Sequence, residues 1–137
     1  MPTTDSQQLG IWGEQAAIRH LVTKGYRILE TNWLLGIGKN PERQLGGKIE
    51  LDIIAYDGPT LVFIEVKTRK NEFFGHPETA VTRSKQKNIF RAADTYVRQN
   101  QLNVNVRFDI IAVVGTSPDN FTITHIPNAF YPTLYRR

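Results

Sequence analysis

Four charged side chains interrupt two apolar segments between residues 48 and 69: Glu50, Asp52, Glu65 and Lys67. An Asp-Gly-Pro turn signal at residues 57–59 separates the segments and predicts two strands joined by a tight turn. Side chains two positions apart lie on one face of a strand, so Glu50 should lie beside Asp52, and Glu65 beside Lys67. The remaining residues are mostly Ile, Leu, Val, Phe and Ala, which is typical of strands covered on both faces. A buried charge needs a partner there, and a divalent cation would compensate these carboxylates.

The chemistry that such a set supports is metal-assisted hydrolysis of a phosphodiester. Hard cations such as Mg2+ or Mn2+ prefer oxygen ligands, so Asp52, Glu65 and the carbonyl of Val66 could hold one ion, with water completing the coordination. Lys67 could orient or deprotonate a metal-bound water, or neutralise charge in the transition state. The alternative is an edge-strand salt bridge between Glu65 and Lys67, with Asp52 capping a turn. The apolar run before Glu65 favours a central strand and therefore the metal site.

A helix is predicted from about Leu9 to Lys24 and ended by Gly25, a common residue at helix C-termini. Helical spacing places Glu14 on the same stripe as four apolar residues: Ile11, Ala17, Ile18 and Leu21. A carboxylate on an apolar stripe is uncommon, because an unpaired buried charge is unfavourable. Glu14 therefore either belongs to a site or reaches water or a lysine at the margin of the stripe.

A second helix is predicted over residues 78–100, with apolar residues along one side. Lys85 and Gln86 fall on that apolar side, where a cation needs a partner. Basic residues occupy the opposite side, which is either an ordinary solvated face or a ridge that binds DNA: Arg83, Lys87 and Arg91. Arg69 and Lys70 directly follow the strand that carries Glu65, and they could contact phosphate.

The composition is that of one ordered domain, residues 1–137, with 40% hydrophobic residues and 22% charged residues. The absence of cysteine excludes disulfides and thiolate chemistry. No signal peptide is visible, and no apolar run approaches the ~20 residues of a spanning helix, so we expect a soluble, cytoplasmic protein with no membrane partner. The formal charge of +4 suits a polyanionic partner if the acidic residues share one pocket, although many proteins of other function reach this value.

The remaining segments complete an α/β architecture. Residues 26–33 are predicted as a strand near the sheet edge, and residues 105–114 and 121–126 as further strands. Gly36–Gly47, rich in glycine, is predicted as a mobile loop, either a flap that contacts DNA or a surface insertion. A crossover through the second helix should make strands 60–68 and 106–114 parallel neighbours in a central mixed sheet flanked by helices.

The spacing of Asp52, twelve further residues and then Glu65-Val66-Lys67 resembles the PD-(D/E)xK nuclease superfamily, with its restriction-endonuclease-like core. More narrowly, the chain resembles the YraN-like bacterial family, which is related to archaeal Holliday junction resolvases. The matching pieces run in order along nearly the whole chain: Gly13-Glu14 with Ala16-Ala17, Gly25-Tyr26, Asn32, ELDIIA (50–55), VFIEVKTR (62–69), Lys85, Arg107-Phe108-Asp109 and Asn128-Ala129-Phe130. The chain departs from the family pattern at Ile49, where the family has glycine, and in its longer Gly36–Gly47 segment.

The resemblance implies a Mg2+- or Mn2+-dependent endonuclease acting on DNA, including branched or damaged DNA. It implies that Asp52 and Glu65 ligate the metal and that Lys67 assists the attacking water. It also implies that Glu14 and Glu50 support the site, that Lys85 binds the scissile phosphate and that Gln86 lies beside the metal as a supporting residue. Resolvase relatives work as symmetric homodimers, so a homodimer is expected. Two alternatives stay open: a DNA-binding protein that no longer cleaves, and an RNA-binding or ribosome-associated module.

Overall fold

A computed structural model describes residues 5–40, 45–71 and 81–132 of the chain. Its helices and strands are α1 (Asp5–Thr23), β1 (Arg27–Asn40), β2 (Leu45–Asp57), β3 (Thr60–Arg69), α2 (Arg83–Gln99), β4 (Val106–Ser117) and β5 (Asn120–Ile126). The strands form one mixed sheet in the order β1-β2-β3-β4-β5. Neither helix of this described part is long and apolar enough to cross a membrane.

The pairing of β3 with β4 is parallel, whereas the other neighbouring strands are antiparallel. Its register runs from Leu61 opposite Val106 to Arg69 opposite Val114. The predicted parallel pairing of segments 60–68 and 106–114 is therefore confirmed. The connection contains α2, as a parallel crossover requires more chain than a hairpin.

Two apolar clusters cover the two faces of the sheet, as the alternation along β3 shows. Leu61 and Phe63 belong to the cluster that includes α2, whereas Val62 and Ile64 belong to the cluster that includes α1. The predicted apolar side of the second helix is confirmed, with four of its residues fully buried: Ile89, Ala92, Ala93 and Tyr96. The sheet is therefore covered on both faces, which explains why β3 reads as a continuous apolar run.

The C-terminus of α1 follows the prediction, but one residue of its apolar stripe does not. Gly25 has a φ of 92°, and the Tyr26 N–H donates to the Leu21 carbonyl at 2.9 Å, which closes the last turn. The prediction that Ile11 faces the core is wrong, because its side chain is 52% exposed. The helix instead approaches the sheet through Gly13, where a Cβ atom would overlap the Thr68 side chain.

The predicted loop at Gly36–Gly47 is largely a β-hairpin. Strand β1 continues to Asn40 and β2 begins at Leu45, and residues 41–44 lie outside the described part. Leu35 pairs with Ile49, and Ile37 pairs with Gly47. The loop prediction was wrong because it weighed the glycines above the alternation of Leu35 and Ile37, which pack against the α2-side cluster. The predicted edge position of the first strand is confirmed.

Helix α2 begins later than predicted. Thr82 is its N-cap residue, since the Thr82 side chain accepts a hydrogen bond from the Lys85 backbone N–H at 3.1 Å. The helix therefore starts at Arg83 rather than at Glu78, and residues 78–80 lie outside the described part. This start matters because it places Lys85 in the first turn of α2.

A buried ionic network joins β4 to β5 on the α1 side of the sheet. The Asp109 carboxylate, fully buried, accepts hydrogen bonds from Arg107 Nε at 2.9 Å and from the Asn128 backbone N–H at 2.9 Å. His125 Nε2 lies 2.8 Å from Asp109 Oδ2. Burial alone would raise the pKa of Asp109, but the hydrogen bonds from His125, Arg107 and Asn128 hold it below its usual value. This carboxylate is therefore a satisfied structural charge.

Candidate functional site

The pairing of β2 with β3 ends next to Asp52 and Glu65. Their paired residues run from Asp57 opposite Thr60 to Ile53 opposite Ile64, and the next position on each strand is Asp52 and Glu65. There, Asp52 Oδ2 accepts a hydrogen bond from the Val66 backbone N–H at 2.8 Å. A side-chain oxygen thus takes the role that a backbone carbonyl would have in a continued ladder. The strands part at this point and leave room for a site.

Strand β2 also changes face at Asp52. Leu51 packs in the α2-side cluster, whereas Ile53 packs in the α1-side cluster, although residues two apart share a face in a regular strand. Asn32, on the neighbouring stretch of β1, has a φ of 51°, a left-handed conformation that asparagine tolerates. The backbone is therefore irregular on both strands beside the carboxylate, and Asp52 lies between the two layers of the core.

Glu65 is buried, with 4% of its surface exposed, and is neutralised by two lysines. Lys85 Nζ, from the first turn of α2, lies 2.6 Å from Glu65 Oε2, and Lys67 Nζ lies 3.7 Å from the same atom. Burial lowers the pKa of Lys67, and the positive charge of Lys85 adds to this effect. Burial would also lower the pKa of Lys85, but its hydrogen bond to Glu65 and the charge of Glu65 raise it overall. Of the two lysines, Lys67 therefore gives up its proton more readily.

Asp52 carries the largest electrostatic perturbation of the site. Burial raises the pKa of Asp52 to about 8, the negative charge of Glu65 adds to the rise, and the Val66 hydrogen bond opposes it. Without a cation, ionisation of Asp52 is therefore unfavourable. This donor set fits a hard divalent cation, which would favour the ionised form of Asp52. No three carboxylate or histidine side chains converge on one point in residues 5–40, 45–71 and 81–132, so such an ion would also need the Val66 carbonyl and water.

Asn32 bridges the two outer carboxylates of the cluster. Its amide nitrogen donates to Glu50 Oε2 at 2.8 Å and to Glu14 Oε2 at 3.1 Å. Burial raises the pKa of Glu14, the Asn32 hydrogen bond opposes the rise, and the charges of Glu50 and Glu65 add to it. The structure thus brings Glu14 and Glu50 to the cluster through an amide that the sequence analysis gave no role. The signal available was that Asn32 is one of the residues that match the YraN-like family pattern.

An open cleft of about 1030 Å³ leads to this cluster. Asp52, Val66 and Lys67 line it, together with Glu14 and Asn32. Arg69 and Lys70, at the end of β3, also line it, and Arg69 Nη1 donates to the Thr68 carbonyl at 3.0 Å. Glu65 does not line the cleft, consistent with its burial beneath the lysines' ammonium groups.

The other predicted residues of α2 lie apart from the cleft. Gln86 Nε2 donates to the Val81 carbonyl at 3.1 Å, which stabilises the start of the helix. The three basic residues predicted as a DNA ridge have exposed side chains and do not line the cleft: Arg83, Lys87 and Arg91. The structure therefore brings together six predicted side chains, places Arg69 and Lys70 along the cleft, and leaves the other predicted side chains at the surface or at the helix start. The six are Glu14, Glu50, Asp52, Glu65, Lys67 and Lys85.

The fold and this cluster define an α/β protein with a carboxylate and lysine site where two central strands diverge. The chain belongs to the family described as Uncharacterised protein family UPF0102, whose sequence profile matches residues 13–113. It is 44% identical over 131 residues to a UPF0102 protein of Bacteroides thetaiotaomicron, covering 96% of this chain and 98% of that relative. It is 46% identical over 123 residues to one of Geobacter sulfurreducens, covering 89% and 88%. The expected YraN-like family membership is thereby confirmed.

Proposed function

We propose that this protein is a metal-dependent endonuclease of the PD-(D/E)xK type that hydrolyses phosphodiester bonds of DNA, including branched or repair-intermediate DNA. One observation carries the proposal. Asp52 and Glu65 occupy the point where β2 and β3 part, and Lys67 lies beside them on the same strand as Glu65. A protein that served only as a scaffold would have no need of carboxylates in this position, because like charges there disfavour folding.

The proposed metal ligands are Asp52, Glu65 and the carbonyl of Val66. Bound Mg2+ or Mn2+ would supply Lewis acidity and a more acidic water. Lys67 lines the cleft, and its lowered pKa suits it to accept a proton from the attacking water. Lys85 stays charged and compensates Glu65, and its ammonium group adds positive charge near the place that a scissile phosphate would take.

Substrate binding would rest on the backbone of the nucleic acid. Arg69 and Lys70 line the edge of the cleft, and the chain has 17 Lys and Arg against 13 Asp and Glu. Because the acidic residues of the cluster are drawn together at one site, the rest of the surface is more basic than the net charge indicates. Such a surface suits phosphate contacts, which position a strand without reading its sequence.

Binding without cleavage is a second candidate function, and the Glu65–Lys85 ion pair favours it. Lys85 Nζ at 2.6 Å already neutralises Glu65, so this carboxylate has a partner without a metal. A cation bound by both carboxylates would have to share Glu65 with Lys85. The two candidates differ in whether the protein binds a metal ion at all, either alone or together with DNA.

Calorimetric titration of Mn2+ into the wild type and into Asp52→Asn tests the nuclease proposal directly. We expect one binding event in the wild type and none in the variant, followed by Mg2+- or Mn2+-dependent cutting of branched DNA by the wild type alone. Titration in the presence of a non-cleavable branched DNA covers the case in which metal binds only with substrate. No metal binding under either condition, with DNA binding retained, would contradict the nuclease proposal and support binding alone.

A further inference from the structure

The cleft has two unlike walls. One wall is the end of β3 and the residue after it, with the cationic side chains of Arg69 and Lys70 next to Lys67. The other is the first half of α1, where Leu9, Gly10 and Ile11 form an apolar patch among the polar side chains of Gln7, Glu14 and Gln15. A phosphate alone would be bound by the first wall and would leave the apolar patch without a role. The pairing of a cationic wall with an apolar patch fits a ligand that has both a charged and an apolar part.

Ile11 is the most exposed apolar residue of this α1 wall, with 52% of its surface accessible. A single exposed aliphatic side chain is common on proteins and carries no meaning by itself. Val22, on the same helix, is 55% exposed and does not line the cleft. The position of Ile11 opposite the cations is therefore the informative feature, and Val22 is its natural control.

Gly10 is the second observation, because its identity has no explanation in the fold. Glycine in a helix interior is less stable than alanine by about 1 kcal/mol. At Gly13 a Cβ atom would overlap Thr68, but at Gly10 a Cβ atom would meet no other atom within 4 Å. Gly10 also lacks the positive φ found at Gly25 and Gly58. What remains is an open surface that lets a ligand approach the helix backbone closely.

We propose that the α1 wall contacts the sugar and base of an unpaired DNA nucleotide whose phosphate lies against Arg69 and Lys70. The inference rests on the proposed function in taking DNA as the ligand, and it names the form of DNA that enters the cleft. A cleft of about 1030 Å³ has room for a nucleotide. In a duplex the bases are stacked and paired, whereas an unpaired nucleotide offers its apolar face and its polar edge. The Gln15 amide, also on this wall, can bond to such an edge.

The test measures DNA affinity in EDTA, so that neither metal binding nor cleavage is needed. Fluorescence anisotropy would compare a single strand of about 15 nucleotides with the matched blunt duplex. The variants are Ile11→Ser and Gly10→Leu, with Val22→Ser as the control. We expect Ile11→Ser and Gly10→Leu to weaken single-strand binding by about tenfold and to leave duplex binding within about twofold. Val22→Ser should bind both DNAs as the wild type does.

Gly10→Leu adds a readout that separates binding from folding. We expect its melting temperature to rise, since leucine is a better helix former than glycine and a Cβ atom at this position meets no atom within 4 Å. Higher stability with weaker single-strand binding would support the inference. Unchanged single-strand affinity in both variants, or an equal loss for single strand and duplex, would overturn it.

The same data keep the inference apart from the proposed function. If the wild type cuts DNA and Ile11→Ser binds single strands as the wild type does, the nuclease proposal stands. The proposed contact between the α1 wall and an unpaired nucleotide is then refuted. If the wild type never cuts DNA but Ile11→Ser loses affinity for single strands and not for duplex, the nuclease proposal is refuted. The proposed contact of the α1 wall with an unpaired nucleotide is then supported.

Discussion

Lys85 Nζ lies 2.6 Å from Glu65 Oε2, so the first turn of α2 places a positive charge on a carboxylate buried in the central sheet. The pair joins β3 to α2, the helix that follows it in the sequence. The ammonium group compensates the charge of a carboxylate that has only 4% of its surface exposed, and this compensation does not require a metal ion. The helix start set by Thr82 is therefore part of the site, because it fixes the position of Lys85.

Replacing Lys85 with methionine should destabilise the metal-free protein by about 2 kcal/mol. Removing one partner of a buried ion pair costs about 3–5 kcal/mol, and the partial exposure of Lys85 and the nearness of Lys67 reduce that figure. Urea unfolding in EDTA measures the change, and Lys87→Met, at an exposed position of the same helix, is the control. Addition of Mn2+ should recover part of the loss if Glu65 is a ligand. Equal stability of the two variants would contradict the pairing.

Asp52 should make the metal-free protein less stable as the pH rises. Its folded pKa of about 8 lies above the usual 3.8, so the native state holds a proton that the unfolded state has lost between these values. The free energy of unfolding should therefore fall from about pH 4 to about pH 8, and Asp52→Asn should remove this fall. At about pH 9 the variant should be more stable than the wild type, by at most about 5 kcal/mol, since each unit of pKa shift corresponds to about 1.36 kcal/mol. A variant less stable at every pH would indicate a structural salt bridge instead.

Replacing Lys67 should lower the rate of DNA cleavage without a comparable change in DNA affinity. Lys67→Ala should reduce the rate of DNA cutting by about 10²–10⁴-fold, because it removes the group that we assign to the attacking water. Its affinity for DNA should change by less than about threefold, since one charge among many phosphate contacts is lost. Cleavage and anisotropy assays on one preparation measure both quantities. An equal loss of rate and affinity would assign Lys67 to binding.

Asn32 should act through the two carboxylates that it bridges. Asn32→Gly removes the amide but permits the φ of 51°, whereas Asn32→Ala removes the amide and strains the backbone by about 1 kcal/mol. Both variants should bind Mn2+ with altered affinity, because Glu14 and Glu50 lose their shared donor. Only the alanine variant should also lose stability from strain. Wild-type metal affinity in Asn32→Gly would show that the bridge has no effect on the site.

The sequence predicted those parts of the molecule that follow from periodicity and spacing. The run around Glu65 could be placed in a central strand, and the length of the crossover predicted the parallel partner of that strand. Spacing along β2 did not predict the change of face between Leu51 and Ile53, because it depends on pairing with β1. The role of Asn32 was missed for the same reason, since a bridge between α1 and β2 is a tertiary relation. Ile11 was misplaced because the approach of Gly13 to Thr68 rotates the buried stripe of α1.

Asp109, which is fully buried, and Asp52, which lines the cleft, should have opposite pH dependences, and this contrast distinguishes a structural charge from a site charge. The pKa of Asp109 lies below its usual value, so its stabilising effect is present above about pH 4 and is lost as the pH falls through the lowered pKa. Asp109→Asn should destabilise the fold by about 3 kcal/mol, because it leaves Arg107 and His125 without a charged acceptor. Unfolding curves of both Asn variants from about pH 3 to about pH 9 test this contrast. A loss of stability in Asp109→Asn and a gain in Asp52→Asn would show that the Asp109 carboxylate stabilises the fold and that the Asp52 carboxylate destabilises it. Losses at both positions would mean that Asp52 is as structural as Asp109.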